Sequence, residues 1–539
     1  MAVYRNDQVD FSFSAEAALG GYMEPNVADD EGSSPFSHSL NAVSLPGSRT
    51  LVVTSTSNLA ALDYIRIGAE GTNSVEVRQV KSFVTNTSIT LTAPTGYYHA
   101  SGEAVVEQDA NSGILQNLNK DTNTSHHLRF TPGVWESIEV PDPSMEIEGR
   151  YFLGPASKRN FYSAYKGQQS FSGTLSNFEL LNGYPLRFPI GSVSTAGTDK
   201  GSGGGSTVAA DGIFKGQYEF DITSATGYGV DDYIAIGKAL ATCEVRKITA
   251  ISSNNIFLDY PLMFDHDAGE DCDEVVAPYT HTIAETVDLD GVSWTVKNTD
   301  SSETTANDWV RRYFGGKIGQ ATLTAEEGGT LRMSWESAPF MGLQHNQKDS
   351  TAHSALVNNY SDSIQPVTVE FPTTQPYYFS QGSISLFDVE FARITNFTLN
   401  INNNLEPRYF IRDDGSERTP SAIYEGRREY SMTATIILPD SLAETATTRT
   451  LFKELLAEGD YGSGMIGFDI DIVFTRGTND TITIKMPSDG TSATGGNEQG
   501  AFIRSANTSV TTDNPASVEV DILFRNMGIV IVDSEPVYP

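Results

Sequence analysis

The sequence predicts a mainly β protein built from duplicated units, and three observations support that fold class. Short runs of alternating apolar and polar residues recur along the 539 residues and are separated by turn residues. A short pattern, Asp-Tyr-Ile-x-Ile-Gly, occurs at 63–68 and again at 232–237. A longer pattern that contains Arg-Tyr-Phe occurs at 148–174 and again at 406–433. Repeated β units of this kind are more typical of assemblies than of enzymes.

The short pattern marks two small inserted β domains, each a barrel or sandwich, predicted at 43–109 and 207–281. The second copy follows a Gly-Ser linker at 201–206, as expected for a module inserted into a host domain. Each copy contains Glu-Val-Arg and later a Pro, with a His five residues after the Pro. His99 and His266 therefore share a position, which indicates a role in stabilising a turn.

The longer pattern marks a host β domain that occurs twice. The first repeat is predicted at 136–198 and 283–341, on both sides of the second small domain. The second repeat is predicted at 365–539. The segments that remain are predicted to be an N-terminal arm, a connector and an exposed loop. They are 1–42, 110–135 and 342–364, respectively.

One flanking helix is predicted at 442–457, in the second repeat. Ser441 and Glu444 form a capping box at its start, apolar residues follow at helical spacing, and Gly459 ends the run. A second helical pattern lies at 175–182.

The charge balance excludes tight nucleic-acid binding. The chain has 69 acidic and 35 basic residues, for a net charge of −34. Affinity for DNA comes from neutralising phosphates with Lys and Arg, so an acidic protein cannot clamp DNA, although it can form a conduit through which DNA slides. No run of about 18 apolar residues is present, and residues 1–10 are polar, so we expect no membrane span, no secretion signal and synthesis in the cytoplasm.

Motifs for catalysis are absent, so we predict that the chain is not an enzyme and needs no cofactor. Asp265, Asp267 and Glu270 lie in an acidic run whose oxygens could hold Ca²⁺, but the simpler interpretation is a solvated loop and no metal site. Cys243 and Cys272 align with valines of the first copy, which predicts small buried side chains; a disulfide between them is the less favoured alternative.

The repeated Arg-Tyr-Phe is the candidate site of the sequence. One interpretation is a scaffold, with Tyr and Phe in the core and Arg on a carboxylate. The other is a contact between neighbouring subunits, because Arg and Tyr are favoured at interfaces. The residues concerned are Arg150, Tyr151, Phe152, Arg408, Tyr409 and Phe410.

With these patterns in view, the chain resembles the tail tube (major tail) proteins of tailed bacteriophages or archaeal viruses. The resemblance covers 136–198 and 283–539 and depends on four stretches. They are EGRYFLG at 148–154, YFGGKIG at 313–319, LTAEEGG at 323–329 and EGRREYSMT at 425–433, the last of which runs into the predicted helix. The two small domains resemble modules that decorate the outside of such tubes.

The resemblance implies a virion protein, made in the host cytoplasm, that assembles into stacked rings. Strands of neighbouring β-sandwiches would close an inner barrel, through which DNA passes without tight binding during genome delivery. Because such rings contain six tube domains, two domains per chain imply a homotrimer with a pseudo-hexameric wall. The alternative is a hexamer of chains with one elaborated tube domain. The expected partners are the chain itself and other tail proteins, with no membrane.

Three other functions remain open at this stage. A baseplate or tail-completion protein would share the fold. A carbohydrate-binding adhesin could also consist of β modules. A tail enzyme that degrades polysaccharides would need two carboxylates placed about the scissile bond, and no such constellation is evident. The arm at 1–42 and the loop at 342–364 are the candidates for contacts between rings.

Overall fold

The structure is a computed structural model. It describes residues 4–16, 36–61, 63–68, 76–91, 94–108, 131–151, 163–201, 203–210, 212–217, 219–300, 309–345, 374–386, 389–390, 394–410, 418–437, 468–488, 500–509 and 517–538. Within these residues the chain is almost entirely β, which confirms the predicted fold class.

The strands are numbered along the chain, and all pairings between them in the described residues are antiparallel. They are β1 (Tyr4–Glu16), β2 (Ser37–Ser39), β3 (Thr50–Val52), β4 (Tyr64–Ile67), β5 (Glu76–Val84), β6 (Ser88–Leu91), β7 (Ala104–Gln108), β8 (Ser137–Glu139), β9 (Ser144–Arg150), β10 (Ser163–Ser170), β11 (Ser172–Glu179), β12 (Gly191–Asp199), β13 (Gly205–Thr207), β14 (Glu219–Asp221), β15 (Tyr233–Ile236), β16 (Glu244–Ser252), β17 (Asn255–Leu258), β18 (Asp271–Glu285), β19 (Gly291–Asp300), β20 (Trp309–Gly316), β21 (Gln320–Glu326), β22 (Arg332–Pro339), β23 (Gly342–His345), β24 (Gly382–Leu386), β25 (Val389–Glu390), β26 (Ile394–Asn402), β27 (Glu406–Arg408), β28 (Ala422–Tyr424), β29 (Glu429–Ile437), β30 (Ile470–Gly477), β31 (Asp480–Met486), β32 (Ala501–Ser509), β33 (Ser517–Phe524) and β34 (Gly528–Asp533).

One layer of the host is an eight-stranded sheet in the order β32-β33-β29-β26-β21-β22-β11-β8. Its two halves have the same strand order relative to the order along the chain. In each half, the first strand is followed by a two-stranded hairpin and pairs with the strand after that hairpin. These pairs are β8 with β11, around the hairpin β9–β10, and β26 with β29, around the hairpin β27–β28. Two later strands then complete the half, β22 and β21 in one and β33 and β32 in the other. The halves meet where β21 pairs with β26, from residue 320 opposite 402 to residue 326 opposite 396.

The second layer shows the same relation between strand order and chain order. The run β1-β19-β20-β23 is a four-stranded sheet. The run β24-β30-β31-β34 belongs to a larger sheet and has its strands in the corresponding order. Each half of the eight-stranded sheet therefore has a matching four-strand run in the layer opposite.

The core between the layers is dominated by aromatic rings. Phe13 of β1 meets Trp335 of β22 edge to face, with ring centroids 5.0 Å apart. Trp294 of β19 stacks on Trp335 with ring centroids 6.1 Å apart, and Phe188 also contacts Trp335, edge to face at 5.6 Å. All four rings are buried. Such rings remove large apolar areas from water, so they hold the two layers together.

Two smaller β units extend from the host, and each has its own apolar core. The first is a six-stranded sheet in the order β2-β7-β4-β5-β6-β3. The second contains β13 to β17 and the first part of β18. β18 then continues into the host, where it pairs with β34 and β12. The second unit is therefore joined to the host by continuous sheet.

The described structure differs from two expectations drawn from local pattern. Within the predicted arm at 1–42, residues 4–16 form β1, which pairs with β19. Of the helical pattern at 175–182, residues 175–179 are the end of β11, where register shifts between 173 and 175 and between 175 and 178 break the alternation. A 3-10 turn at Tyr184–Leu186 and the helix α1 (Arg187–Ile190) follow it.

Other expectations fall wholly or partly outside the described residues. The helix predicted at 442–457 lies outside them. Of the loop predicted at 342–364, the described part is the strand β23 (Gly342–His345). In the described part of the chain, no helix is long and apolar enough to cross a membrane.

Replacing Phe13 by Ala tests whether β1 belongs to the host. Phe13 is 1 % exposed and packs against Trp335. We expect Phe13→Ala to lower the free energy of unfolding by about 3–5 kcal/mol, because a buried ring is lost and a cavity remains. Urea unfolding followed by circular dichroism measures the loss. The half-buried neighbour Ser14→Ala is the control, and an unchanged midpoint for Phe13→Ala would show that the segment is detached.

Candidate assembly surfaces

Hairpin 1, formed by β9 and β10, presents Arg150 and Tyr151 of the first Arg-Tyr-Phe at its end. The Arg150 guanidinium lies 4.5 Å from the centre of the Tyr165 ring, and the Tyr165 hydroxyl donates a hydrogen bond to Glu148. These contacts fix the end of the hairpin. Ile147 is 65 % exposed and Tyr151 is 72 % exposed. Hairpin 1 therefore carries apolar and aromatic surface into solvent.

Hairpin 2, formed by β27 and β28, presents the second Arg-Tyr-Phe in the same way. Arg408 pairs with Glu406 at 2.6 Å, and both are exposed. The Phe410 ring lies 6.3 Å from the Tyr424 ring, and both rings are also about half exposed. The two hairpins thus share a design, in which Arg and aromatic side chains organise an exposed tip.

One difference separates the hairpins. The Tyr409 hydroxyl donates a hydrogen bond of 3.0 Å to the backbone carbonyl of Gln169, near the end of β10 in hairpin 1. The backbone N–H of Gln169 donates one of 2.7 Å to the carbonyl of Arg418. Hairpin 2 is therefore docked on the other half of the chain. Burial at this contact raises the pKa of Tyr409.

The candidate residues from the sequence thus lie on the surface of the host. Arg150, Tyr151, Arg408 and Phe410 are exposed, and Tyr409 is half-buried against Gln169. Phe152 lies outside the described residues. No core position is found for Tyr151 or Phe410, which disfavours the scaffold interpretation, while the contact between subunits stays a prediction.

The two edges of the eight-stranded sheet are a surface that sequence reasoning missed. β32 lies at one edge and β8 at the other. Edge strands present unpaired backbone groups that can add a strand from another chain. β8 has three residues, whereas its counterpart in the other half, β26, has nine. Their positions at the edges depend on pairings between distant residues, which the sequence pattern does not show.

The face of this sheet that points away from the core is polar. On β29, for example, Tyr430 and Met432 are buried while Ser431 and Thr433 are partly exposed. The partly exposed hydroxyl and amide side chains of this face include Thr174, Ser176, Thr322, Thr324, Ser334, Thr398, Asn400, Asn402, Ser431, Thr433 and Thr435. Its carboxylates include Glu139, Glu179, Glu326, Glu336, Glu429, Glu519 and Asp521, and its guanidinium groups include Arg332 and Arg504.

The comparison with known families identifies the chain. Residues 153–524 match the sequence model of a family described as phage tail tube protein. The chain belongs to this family. It is therefore a structural component of a virion tail, as the resemblance predicted, and membership of the family indicates a structural rather than a catalytic role.

Other comparisons add little. Two solved structures to which the chain is similar are described as the virion of a native gene transfer agent (GTA) particle and the tail of an empty GTA particle computed with helical refinement and C6 symmetry. Both are 11 % identical over 28 % of this chain and 93 % of theirs, with TM-scores of 0.19 and 0.18. No curated protein matches the chain.

The short repeated pattern forms the same buried charge network in both small units of this tail protein. In the first, Glu76 pairs with Arg78, whose Nε donates to the Pro94 carbonyl at 2.9 Å. His99 Nε2 lies 2.8 Å from Glu76, and its Nδ1 lies 2.8 Å from Glu103. The repeated Glu, Arg, Pro and His of the sequence are thus one cluster.

The second unit repeats these contacts residue for residue. Glu244 pairs with Arg246, and Arg246 Nε donates to Pro261 at 3.2 Å. His266 contacts Glu244 at 3.2 Å and Glu270 at 2.8 Å. The glycine of the pattern supplies a positive φ in each turn, +94° at 102 and +89° at 269. These histidines stabilise turns, as their shared position indicated.

Each histidine is held in its charged form. Two carboxylates face the two ring nitrogens, so both nitrogens must donate protons. Burial alone would lower the pKa of His99, but the hydrogen bonds to Glu103 and Glu76 outweigh it and raise the pKa to about 9. Burial alone would raise the pKa of Glu76, but Arg78 and His99 outweigh that effect and lower it. The pKa of His266 is also raised.

The candidate calcium ligands accept hydrogen bonds from the protein, and the two cysteines are buried thiols. Glu270 accepts from His266 and from the backbone of Asp267, and Asp265 accepts from the backbone of Lys215 at 2.7 Å. Across the described residues, no group of three or more His, Cys, Asp or Glu side chains is placed to hold a metal ion. Cys243 and Cys272 are buried and free, as the alignment with valine predicted.

The histidine networks predict that stability falls as the pH rises above neutrality. In the unfolded chain a His titrates near pH 6.5. With a folded pKa of about 9, His99 contributes fully below about pH 6.5, and this contribution, up to about 3 kcal/mol, is lost as the pH rises through about 9. Calorimetric unfolding at pH 6.5, 8 and 9.5 measures the slope.

A double variant provides the comparison for this pH dependence. His99→Gln with His266→Gln should flatten the fall in unfolding temperature between pH 6.5 and 9.5. His38→Gln lies outside both networks and should keep the fall. A double variant that retains the full pH dependence would contradict the assignment.

Proposed function

We propose that three copies of this chain form a ring of the tail tube, with a pseudo-sixfold inner wall, and that stacked rings are the conduit for genome delivery. The observation that carries the proposal is the joint between β21 and β26, where two equivalent halves form one sheet. In this account the pairing that joins the halves within a chain also joins neighbouring chains.

The register of the two halves supports their equivalence. Thr174 lies opposite Glu139 in one half. Thr433 lies opposite Thr398 in the other. Thr433 is 259 residues after Thr174, and Thr398 is 259 residues after Glu139. The pairing of β8 with β11 therefore has the same register as the pairing of β26 with β29.

The internal joint then predicts the joint between chains. Within the chain, Leu323 lies opposite Leu399. Val140 is the counterpart of Leu399, because it directly follows Glu139, the counterpart of Thr398. Val520 of β33 is the counterpart of Trp335, because they face the matched residues Ala434 and Leu175. Ala321 faces Trp335 and Ala506 faces Val520, so Leu323 and Thr508, each two residues further on, are counterparts. Ring closure would place Val140 of one copy opposite Thr508 of the next.

The polar face of the eight-stranded sheet suits the lumen of the tube. Carboxylates repel the phosphates of DNA, so they prevent the counterion release on which tight binding depends. Hydroxyl and amide groups between them keep the surface hydrated. Of the basic groups named above, Arg504 is paired with Asp521 at 2.8 Å, and Arg332 lies 3.9 Å from Glu179. DNA would therefore pass without being held.

We assign the two small domains to the outside of the wall. Their sheets begin before the predicted bounds of 43–109 and 207–281, at β2 (Ser37–Ser39) and β13 (Gly205–Thr207). The second is continuous with the layer opposite the polar face, through β18 and β34. The first packs on the second, where Tyr98 stacks on Phe214 with ring centroids 5.7 Å apart.

A cysteine pair tests ring closure. In Val140→Cys with Thr508→Cys, a short bifunctional maleimide should link neighbouring copies and give covalent dimers and trimers on a denaturing gel. The native cysteines are buried, so the unmodified chain should give none. The matched pair Thr324→Cys with Thr398→Cys spans the internal joint and should link only within one chain.

The outcomes of this experiment are distinct. Linked species larger than a trimer would favour a ring of six chains. A chain that links internally but never between copies, at any concentration, would show that the outer edges do not pair. Counting copies per particle then separates a tube protein, which is abundant, from a baseplate or tail-completion protein, which is present in few copies.

Charge reversal on the polar face tests its place in the lumen. Glu336→Lys with Glu429→Lys should make assembled tubes bind DNA in a salt-dependent way, because each added cation releases counterions. A gel-shift or filter assay at low and physiological salt measures it. Asp221→Lys, on an exposed strand of the second small domain, is the control for charge alone. If tubes of the Glu336→Lys, Glu429→Lys variant do not bind DNA, this face does not line the lumen.

A further inference from the structure

Hairpin 2 is docked across the joint between the two halves of the chain. It precedes β29, in the half that contains β26, yet Tyr409 reaches the backbone of Gln169, in the half that contains β21. The Gln169 N–H returns a hydrogen bond to Arg418, in the same hairpin connection. Backbone carbonyl and N–H groups of one residue thus hold hairpin 2 in place.

Hairpin 1 has the same sequence design and a different environment. Tyr151 is the counterpart of Tyr409 in the repeated pattern, as Arg150 is of Arg408. Yet Tyr151 is 72 % exposed, while Tyr409 is half-buried. Among the described residues, hairpin 1 has no neighbouring half beside it, because β8 lies at the edge of the eight-stranded sheet.

The exposed surface of hairpin 1 is larger than a single tyrosine. Ile147 is 65 % exposed and Tyr165 is 42 % exposed on the same hairpin. Grouped exposed apolar side chains mark contact surfaces in soluble proteins. Arg150, stacked on Tyr165, gives this group the Arg and aromatic composition of interface residues.

We propose that hairpin 1 docks on a second copy of this chain, where the Tyr151 hydroxyl donates to the backbone carbonyl of Arg428. Arg428 is the counterpart of Gln169, because both lie 5 residues before a matched threonine of the next strand, Thr433 and Thr174. The Arg428 side chain already donates to Asn403 at 2.8 Å, which ties it to its own chain. The contact would repeat that of Tyr409 across the joint between chains.

This inference rests on the proposed ring, since only a neighbour joined at β8 brings Arg428 to hairpin 1. It also adds a second, independent contact to each joint. The described part of β8 is short, and a docked hairpin would extend the contact well beyond its three residues. Each hairpin 1 would thus act as a strap over the boundary between two subunits.

Site-specific photo-crosslinking tests the strap. A benzoylphenylalanine at position 151 should give covalent dimers on irradiation of assembled protein, with the adduct in the peptide that contains Arg428. The same probe at position 409 should give adducts within one chain, near Gln169. A 151 adduct that maps to another peptide, in protein whose rings are intact, would overturn the strap and leave the proposed ring standing.

Alanine variants separate an interface role from a structural one. Tyr151→Ala should raise the protein concentration at the midpoint of ring assembly by about tenfold, with the unfolding temperature of the single chain unchanged. Tyr409→Ala should instead lower that unfolding temperature. If Tyr151→Ala changes only the stability of the single chain, the tyrosine has a structural role and the proposal is wrong. A chain that never assembles would overturn both the strap and the ring.

Discussion

The backbone pairing between β21 and β26 is the interaction on which the rest of the structure depends. It joins two halves with the same strand order into one eight-stranded sheet. A joint of this kind satisfies backbone groups that would otherwise be exposed at two edges. In the described part of the chain, the outer backbone groups of β8 and β32 pair with no further strand, so they could form the corresponding joint with another copy. Its short β8 would limit pairing with wrong partners, and hairpin 1 would add specificity.

The inserted domains solve a separate physical problem. A small β unit of about 65–75 residues buries little apolar area, so its margin of stability is small. Each unit adds a buried cluster of two carboxylates, one guanidinium and one imidazolium, in which the charges balance. Buried charges are costly unless paired, and here each has partners on more than one side. The repeated cluster fixes the same turn twice, at 99–103 and at 266–270.

Much of this arrangement could be predicted from the sequence, and the failures have physical causes. The paired Glu, Arg, Pro and His positions were visible as a repeat, but their meeting in one cluster depends on the fold. Local pattern predicts an arm at 1–42 and misses β1, because the partner strand β19 lies about 280 residues away. β11 looked helical at 175–182, because its bulges place Leu175 and Phe178 three residues apart on the buried side. The repeated Arg-Tyr-Phe was visible in the sequence, but neither the exposure of Tyr151 and Phe410 nor the docking of Tyr409 could be predicted, because both depend on the tertiary fold.

The number of chains per ring tests the central claim most directly. Native mass spectrometry of isolated rings should give three copies of the 58.4 kDa chain, about 175 kDa. Class averages calculated without imposed symmetry should show threefold rings whose inner wall approaches sixfold symmetry. A ring of six chains, or a chain that remains monomeric in every solvent and never appears as annular layers in a particle, would contradict the account.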